Sequence, residues 1–563
     1  MSSDGSTEHF REPDPFEEQE ASAYRALRVY AFGPLRGRRG GNHLMLKVPF
    51  EELHPGPIGS RIAVVDEDLE GNQLFVPVDL EHPDVRIGGF EPNDSNPQFH
   101  QQMVYAVISN LLRTFDRALG HKARFRAAGT AAPTRLTVRP HAITEVNAYY
   151  DPEKVALSFG RIEKSRGSTG LIIPRKPVYI CLFHDVVLHE TAHALLDGLR
   201  PLYMVPTSVD SYAFHEGFCD LVALLQQLTF EEPLADVIQR TGGRLYSVSL
   251  QPELRGAAGD GTSDRNPLLS LGQQFGEALG SGEGPLRSAI GTLPDKAALE
   301  NEREPHQRGA IMMNAVFDAF FRVYVRRTRG LFRLSAWMPP LEGDLHPDLT
   351  RRLAAEASQL ATTLLHLCIR AIAYCPAVDI AMGDFLRAMM TVHVRLDPDD
   401  RDGLRDALID AFARRGIYPP DVESMSESAL TWRRHPGSLV LARDVVRALR
   451  AADVAGKRDR AAEKMLKIFC EVHRRELGFV PDVPLQMSPF HQSIRFVGPE
   501  LDVAEELVCL VTQTVNVKGS GKVYGGTTLI FGDDGRDGRL RYAITKRIDA
   551  KRQRAQLAWQ KPT

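Results

Sequence analysis

The sequence predicts an α+β fold on three observations. Short alternating or apolar runs broken by Gly, Pro and Asn fill residues 25–90. Apolar residues at helical spacing dominate 99–119 and much of 309–420. Gly-punctuated alternating runs return near the C-terminus. At 563 residues the chain exceeds what one hydrophobic core holds, roughly 250–300 residues, so several regions are expected. They are an acidic tail over 1–22, a β-rich N-terminal region over 23–95, a main domain over 96–430 and a C-terminal region over 431–563.

Taken in order, residues 1–22 combine Ser, Pro, Glu and Asp with almost no apolar anchor, a composition that cannot offset the entropy of ordering, and disorder is expected there. "RALRVYAF", "HLMLKVPF", "RIAVVDED" and "QLFVPVDL" read as strands. "FHQQMVYAVISNLLRTFDRAL", residues 99–119, reads as a long helix, followed by strands in "RLTVRPHA" and "NAYYDPEKVALSFGRIE". The Gly-rich text from Gln251 to Asn301 suggests a long loop with a helix or two inside it. Helical periodicity resumes over 309–330 and 350–374 and in "MGDFLRAMMTVHVRL" and "DRDGLRDALIDAFARRG". Residues 438–478 bear helices, and "AEELVCLVTQTVNV", "GGTTLIFG" and "GRLRYAITKRID" end the chain as a β-meander.

Composition narrows the function classes. A formal net charge of -3 argues against a general nucleic-acid or anionic-membrane surface. The six cysteines form no C-x-x-C pair, which excludes a cysteine-ligated zinc ribbon and suggests reduced thiols in a cytoplasmic-type protein. The N-terminal residues lack the basic start and apolar core of a secretory signal, and no uninterrupted apolar stretch is long enough to span a bilayer, so neither export nor membrane insertion is expected.

The chemistry centres on "FHDVVLHETAHALLDGLRP", residues 183–201. On a helix, residues four apart share a face, so His189 and His193 can present imidazole nitrogens to one metal ion. Glu190 lies near the same edge without ligating, where a glutamate can take a proton from a metal-activated water. An ordinary amphipathic helix also fits that pattern, and a third ligand discriminates, because a catalytic zinc takes three protein ligands. "SYAFHEGFCDLVALL", residues 211–225, supplies Glu216 and Asp220 on one helix face. One of these carboxylates can bind the metal while the other accepts the free ring N–H of a ligating histidine.

"HETAH" followed by the E-x-x-x-D of "EGFCD" resembles the gluzincin zinc metallopeptidases, and among them the thermolysin-like ones. The resemblance covers roughly residues 99–420. It implies a zincin-type catalytic domain with a β-sheet, active-site helices and a mainly helical lobe. It also implies one Zn²⁺ per chain on His189, His193 and Glu216, with Glu190 as general base and Asp220 as the carboxylate behind His189. "NAYYDPEKVALSFG" is similar to the family's edge strand, so Asn147 and Ala148 inherit the role of holding the substrate backbone. "EPHQRGAIMMNAVF" is similar to the segment that supplies an oxyanion donor, which assigns that role to His306, with Tyr203 of "LRPLYMVP" as a second donor.

The chain departs from the family where His215 stands for an asparagine and His184 lies one turn before His189; a packing or supporting role is expected for both. No arginine stands out as a substrate clamp, and no acidic cluster marks structural calcium sites. The function expected is a zinc metallopeptidase acting on a peptide or protein substrate. The alternatives are a binding or scaffold protein that keeps zinc as a structural staple, a hydrolase of non-peptide substrates, and a latent peptidase that needs a trigger.

Overall fold

A computed structural model describes residues 23–34, 42–126, 135–162, 177–240, 294–335, 345–437, 439–454, 459–488, 491–497, 502–518, 520–532 and 538–560. The acidic tail and most of the expected long loop lie outside the described residues. The fold is mixed α and β, as expected.

Strands β1 (Tyr24–Tyr30) and β2 (His43–Pro49) pair antiparallel, from Tyr24 opposite Pro49 to Tyr30 opposite His43. Their strict alternation buries Leu27, Val29, Leu44, Leu46 and Val48 on one face, which packs on the helix α1 (Pro97–Leu119). Asn96 caps α1 by accepting from Gln98 N–H, Pro97 occupies its first turn, and Gly120 ends it at φ 75°.

A second sheet has the order β3 (Ile62–Val64), β4 (Leu136–Arg139), β6 (Ala156–Phe159), β5 (Ala148–Asp151). The first three run parallel, and β5 lies antiparallel to β6 with its other side unpaired among the described strands. The strand expected in "QLFVPVDL" does not form. Pro77 lacks a donor, and Gln101 of α1 stands in for a neighbouring strand: its Oε1 accepts from Val78 N–H at 2.7 Å and its Nε2 donates to Val76 O at 3.2 Å.

The short strands β7 (Arg161–Ile162) and β8 (Val178–Tyr179) lead into α2 (His184–Leu199), which carries "HETAH". Next come α3 (Val209–Leu228), α4 (Glu231–Arg240), α5 (Pro305–Ser335), α6 (Pro347–Ala371), α7 (Met382–Leu396) and α8 (Leu404–Arg414). Helix α3 sits centrally, packed on α2, α5 and α6, and is buried almost throughout.

In the C-terminal region α9 (Arg443–Val454) and α10 (Arg460–Val472) precede the short strand β9 (Gln486–Met487), which pairs with β11, and a sheet in which β10 (His491–Val497), β11 (Asp502–Val517), β12 (Gly521–Phe531) and β13 (Leu540–Lys546) form an antiparallel meander. The chain does not end there: α11 (Ala550–Trp559) follows, capped by Asp549. Gln556 exchanges two hydrogen bonds with the Tyr524 backbone, at 2.8 and 2.9 Å, so α11 covers the part of the β12 edge that β13 leaves open. The meander has two apolar faces. Val508, Ile530, Tyr542 and Ile544 join the core that runs through both sheets and helices α1 to α8. Leu507, Cys509, Val511, Leu529 and Phe531 join a second core with residues of α9 and α10.

Candidate metal centre

Helix α2 is buried nearly throughout, with Val187, Leu188, Ala192, Leu195 and Leu196 fully so, and its polar residues therefore stand out. His189 and His193, one turn apart, bring their Nε2 atoms to 2.9 Å of each other. Glu216 of α3 places Oε2 3.3 Å from His189 Nε2 and 3.4 Å from His193 Nε2. Burial pushes the Glu216 carboxyl up, but the histidines outweigh it, His193 above all, and hold it well below the carboxylate range.

The outer nitrogens are also held. Asp220 Oδ1 lies 2.8 Å from His189 Nδ1, and a carboxylate there keeps the ring proton on Nδ1 and leaves the Nε2 lone pair facing inward. His215 Nδ1 lies 2.6 Å from His193 Nδ1, with the two rings stacked. Burial and the neighbouring His193 keep His215 neutral, its pKa well below the ordinary value. Glu190 follows His189 on α2 and is buried. Asp197, further along α2, accepts from Tyr150 O–H at 2.9 Å, which ties the edge strand β5 to this helix.

Three donors of this kind fit a divalent ion. A tetrahedral zinc with bonds of about 2.0–2.1 Å has ligand-to-ligand edges of about 3.3 Å, and the edges here are 2.9, 3.3 and 3.4 Å. Of the two carboxylates the sequence offers, Glu216 lies on the inner side of His189 and Asp220 on the outer.

His306, on the first turn of α5, is half-exposed and reaches the same cluster, its Nε2 3.4 Å from Glu216 Oε2. Its Nδ1 lies 2.8 Å from Glu304 Oε1. Arg308 anchors this turn by donating from Nε to Asp210 Oδ1 at 2.6 Å in the first turn of α3.

Tyr203 is not brought to the cluster. It is 1% exposed and donates its hydroxyl to Pro376 O at 2.6 Å, while its ring meets Phe214 edge to face. A tyrosine on a short turn between α2 and α3 can point either way, and the apolar surroundings of Phe214 take it into the core. Asn147 is exposed at the start of β5, and its Oδ1 accepts from Ala148 N–H at 2.9 Å. His184 is fully buried and donates from Nδ1 to Tyr30 O at 2.8 Å, a packing role.

Sequence reasoning missed the close crossing of α3 and α5 at Gly217 and Gly309. A glycine within each of the two helices was the available signal.

The chain matches no protein-family model, and a search of curated proteins returns no similar sequence. Among the described residues no helix is long and apolar enough to cross a membrane.

Proposed function

We propose that this chain is a zinc-dependent metallopeptidase with a zincin-type catalytic domain. The observation that carries the reading is the convergence of His189 Nε2, His193 Nε2 and Glu216 Oε2, with separations of 2.9, 3.3 and 3.4 Å, on a helix where the buried Glu190 directly follows His189. A structural staple would need the three ligands but has no use for that carboxylate.

Zn²⁺ held by these residues would supply Lewis acidity for a scissile carbonyl and lower the pKa of a water towards 7. Glu190 accepts a proton from the attacking water as the C–O bond forms, and then delivers it to the leaving amine as the carbonyl re-forms and the C–N bond breaks. His306, its Nδ1 held 2.8 Å from Glu304 Oε1, offers Nε2–H to the developing oxyanion. Asp220 keeps His189 in the tautomer that faces inward. The edge of β5 that no described strand pairs, beginning at Asn147 and Ala148 and tied to α2 through Tyr150 and Asp197, suits an extended peptide added by main-chain hydrogen bonds.

The test is cleavage of a diverse peptide library by zinc-loaded protein, with cut sites read by mass spectrometry and Glu190→Ala as the matched control. Cuts made by the wild type and absent with Glu190→Ala, which still binds zinc, are expected. Zinc-loaded wild type that cuts nothing, or an equally active Glu190→Ala, would sink the reading.

A further inference from the structure

A second group of metal-ligating side chains lies away from the "HETAH" helix, in the core between α1, the loop after β4 and the 3₁₀ turn Ile180–Leu182. His100, His141 and Cys181 bring ligand atoms within 4.8 Å of one another. His100 and Cys181 are 0% exposed, and His141 and Asp66 are each 5% exposed.

The hydrogen bonds around the two rings decide where their protons sit. His100 Nε2 lies 3.1 Å from Asp94 O, a carbonyl that only accepts, so the proton is on Nε2. His141 Nδ1 lies 2.8 and 3.0 Å from the two carboxylate oxygens of Asp66, so its proton is on Nδ1. Gln101 Nε2 donates to Asp66 Oδ2 at 2.6 Å and fixes that carboxylate in turn. Neutral rings in these tautomers turn two lone pairs toward each other, His100 Nδ1 and His141 Nε2, 2.8 Å apart. Two acceptors this close in a dry core repel unless something positive lies between them.

A shared proton or a metal ion would answer that need. Cys181 favours the metal, because it adds a third ligand atom where a proton between two nitrogens requires none. The arrangement also repeats that of the "HETAH" site, where a carboxylate holds the Nδ1 of one ring and two inward nitrogens stand 2.9 Å apart.

We propose that His100, His141 and Cys181 form a second, structural metal site for a thiolate- and imidazole-preferring divalent ion such as Zn²⁺, with Asp66 orienting His141. Two imidazoles and a thiolate select zinc or cobalt over magnesium or calcium, which take oxygen ligands. On binding, the Cys181 thiol releases its proton to solvent and the thiolate ligates. The ion ties the first turn of α1 and the loop after β4 to the turn that leads into α2. It is sealed from solvent by the rings of Tyr179 and Phe75, 4.8 and 4.9 Å from the His141 ring, so it holds structure and does not meet substrate. The site stands independently of the peptidase reading.

The experiment measures zinc content and cobalt spectra of the full chain. Wild type is expected to hold a second zinc equivalent, which Cys181→Ser removes while His189→Ala removes only the other. Loaded with Co²⁺, wild type and Cys219→Ser should show a thiolate-to-cobalt charge-transfer band that Cys181→Ser lacks. Cys219 is the control because it lies near His193 and His215. If Cys181→Ser does not fold, X-ray absorption on zinc-loaded Cys219→Ser still answers, since among the described residues only this site then combines a cysteine with other metal-ligating side chains. A zinc content that Cys181→Ser leaves unchanged, a band that survives Cys181→Ser, or a zinc shell without sulphur would overturn the proposal.

Discussion

Gly217 and Gly309 meet backbone to backbone where α3 and α5 cross. A Cβ built on Gly217 would lie 2.5 Å from Gly309 O, and one built on Gly309 would lie 2.4 Å from Ala213 O. Glu216 sits beside the first glycine and His306 one turn before the second. The crossing is therefore what sets His306 Nε2 3.4 Å from Glu216 Oε2.

Gly309→Ala should push α5 away from α3. Overpacking of this kind costs about 1–3 kcal/mol, which the better helix propensity of alanine, about 1 kcal/mol, offsets only in part. None of His189, His193 and Glu216 lies on α5, so zinc content should hold while kcat falls at least about tenfold, in line with displacement of an oxyanion donor. Metal analysis and steady-state kinetics on one preparation check this. A folded Gly309→Ala with wild-type kcat would show that the crossing does not position His306.

His306 and Tyr203 were given one role by resemblance, and the structure separates them. His306→Ala should lower kcat about 10²–10³-fold, the loss typical of one oxyanion donor. Tyr203→Phe should leave kcat near wild type and cost about 1–3 kcal/mol of stability, because Pro376 O loses its buried donor. Kinetics together with denaturant unfolding separate the outcomes. A Tyr203→Phe protein that loses turnover at unchanged stability would return the tyrosine to the site.

What could be read from the sequence was what has a local period or spacing. "HETAH" and "EGFCD" each lie on one helix face, so His189 and His193 followed from spacing, with Glu216 and Asp220 as the carboxylates on offer, and the resemblance singled out Glu216 as the ligand. The long helix beginning near Phe99 showed its period, and Asn96 and Pro97 mark its start. Features created by tertiary contact had no such signal. "QLFVPVDL" alternates like a strand, yet Gln101 takes its backbone groups. The last helix, "AKRQRAQLAW", has little apolar periodicity and is held through Asp549, Gln556 and Gln560. Asp66, His100, His141 and Cys181 are scattered along the chain and meet only once β3, α1 and β4 have packed.

His184 makes stability depend on acid. Burial pushes its pKa from 6.5 down to about 4, so between those values the unfolded chain binds the proton that the folded chain refuses. The contribution is complete above pH 6.5, falls as pH drops, and is lost by pH 4, an effect of about 3 kcal/mol at 1.36 kcal/mol per unit. Denaturant unfolding of wild type and His184→Gln across this window should show a shallower pH slope in the variant. Parallel slopes would mean that His184 does not titrate against folding.

The C-terminal sheet should prove inseparable from the helical lobe. Glu506 of β11 is fully buried, accepts from Tyr374 O–H at 2.6 Å and pairs with Arg395 of α7. Lys546 of β13 reaches Asp384 at 2.6 Å, and Thr528 donates to Cys375 O at 2.8 Å. Val508, Ile530, Tyr542 and Ile544 share the main core. Glu506→Ala removes the fully buried carboxylate that pairs with Arg395 and accepts from Tyr374, a loss of about 3–5 kcal/mol, whereas Glu506→Leu combined with Arg395→Met should recover most of it, since an apolar pair can replace a buried ion pair. Deleting the chain from His435 onward strips the same surface all at once. The truncated protein should lose cooperative unfolding and cleave nothing, as expected of a shared core. A truncated chain that folds and cuts the library faster than the full protein would instead make the C-terminal region an inhibitory cap, with the buried ion pairs acting as its latch.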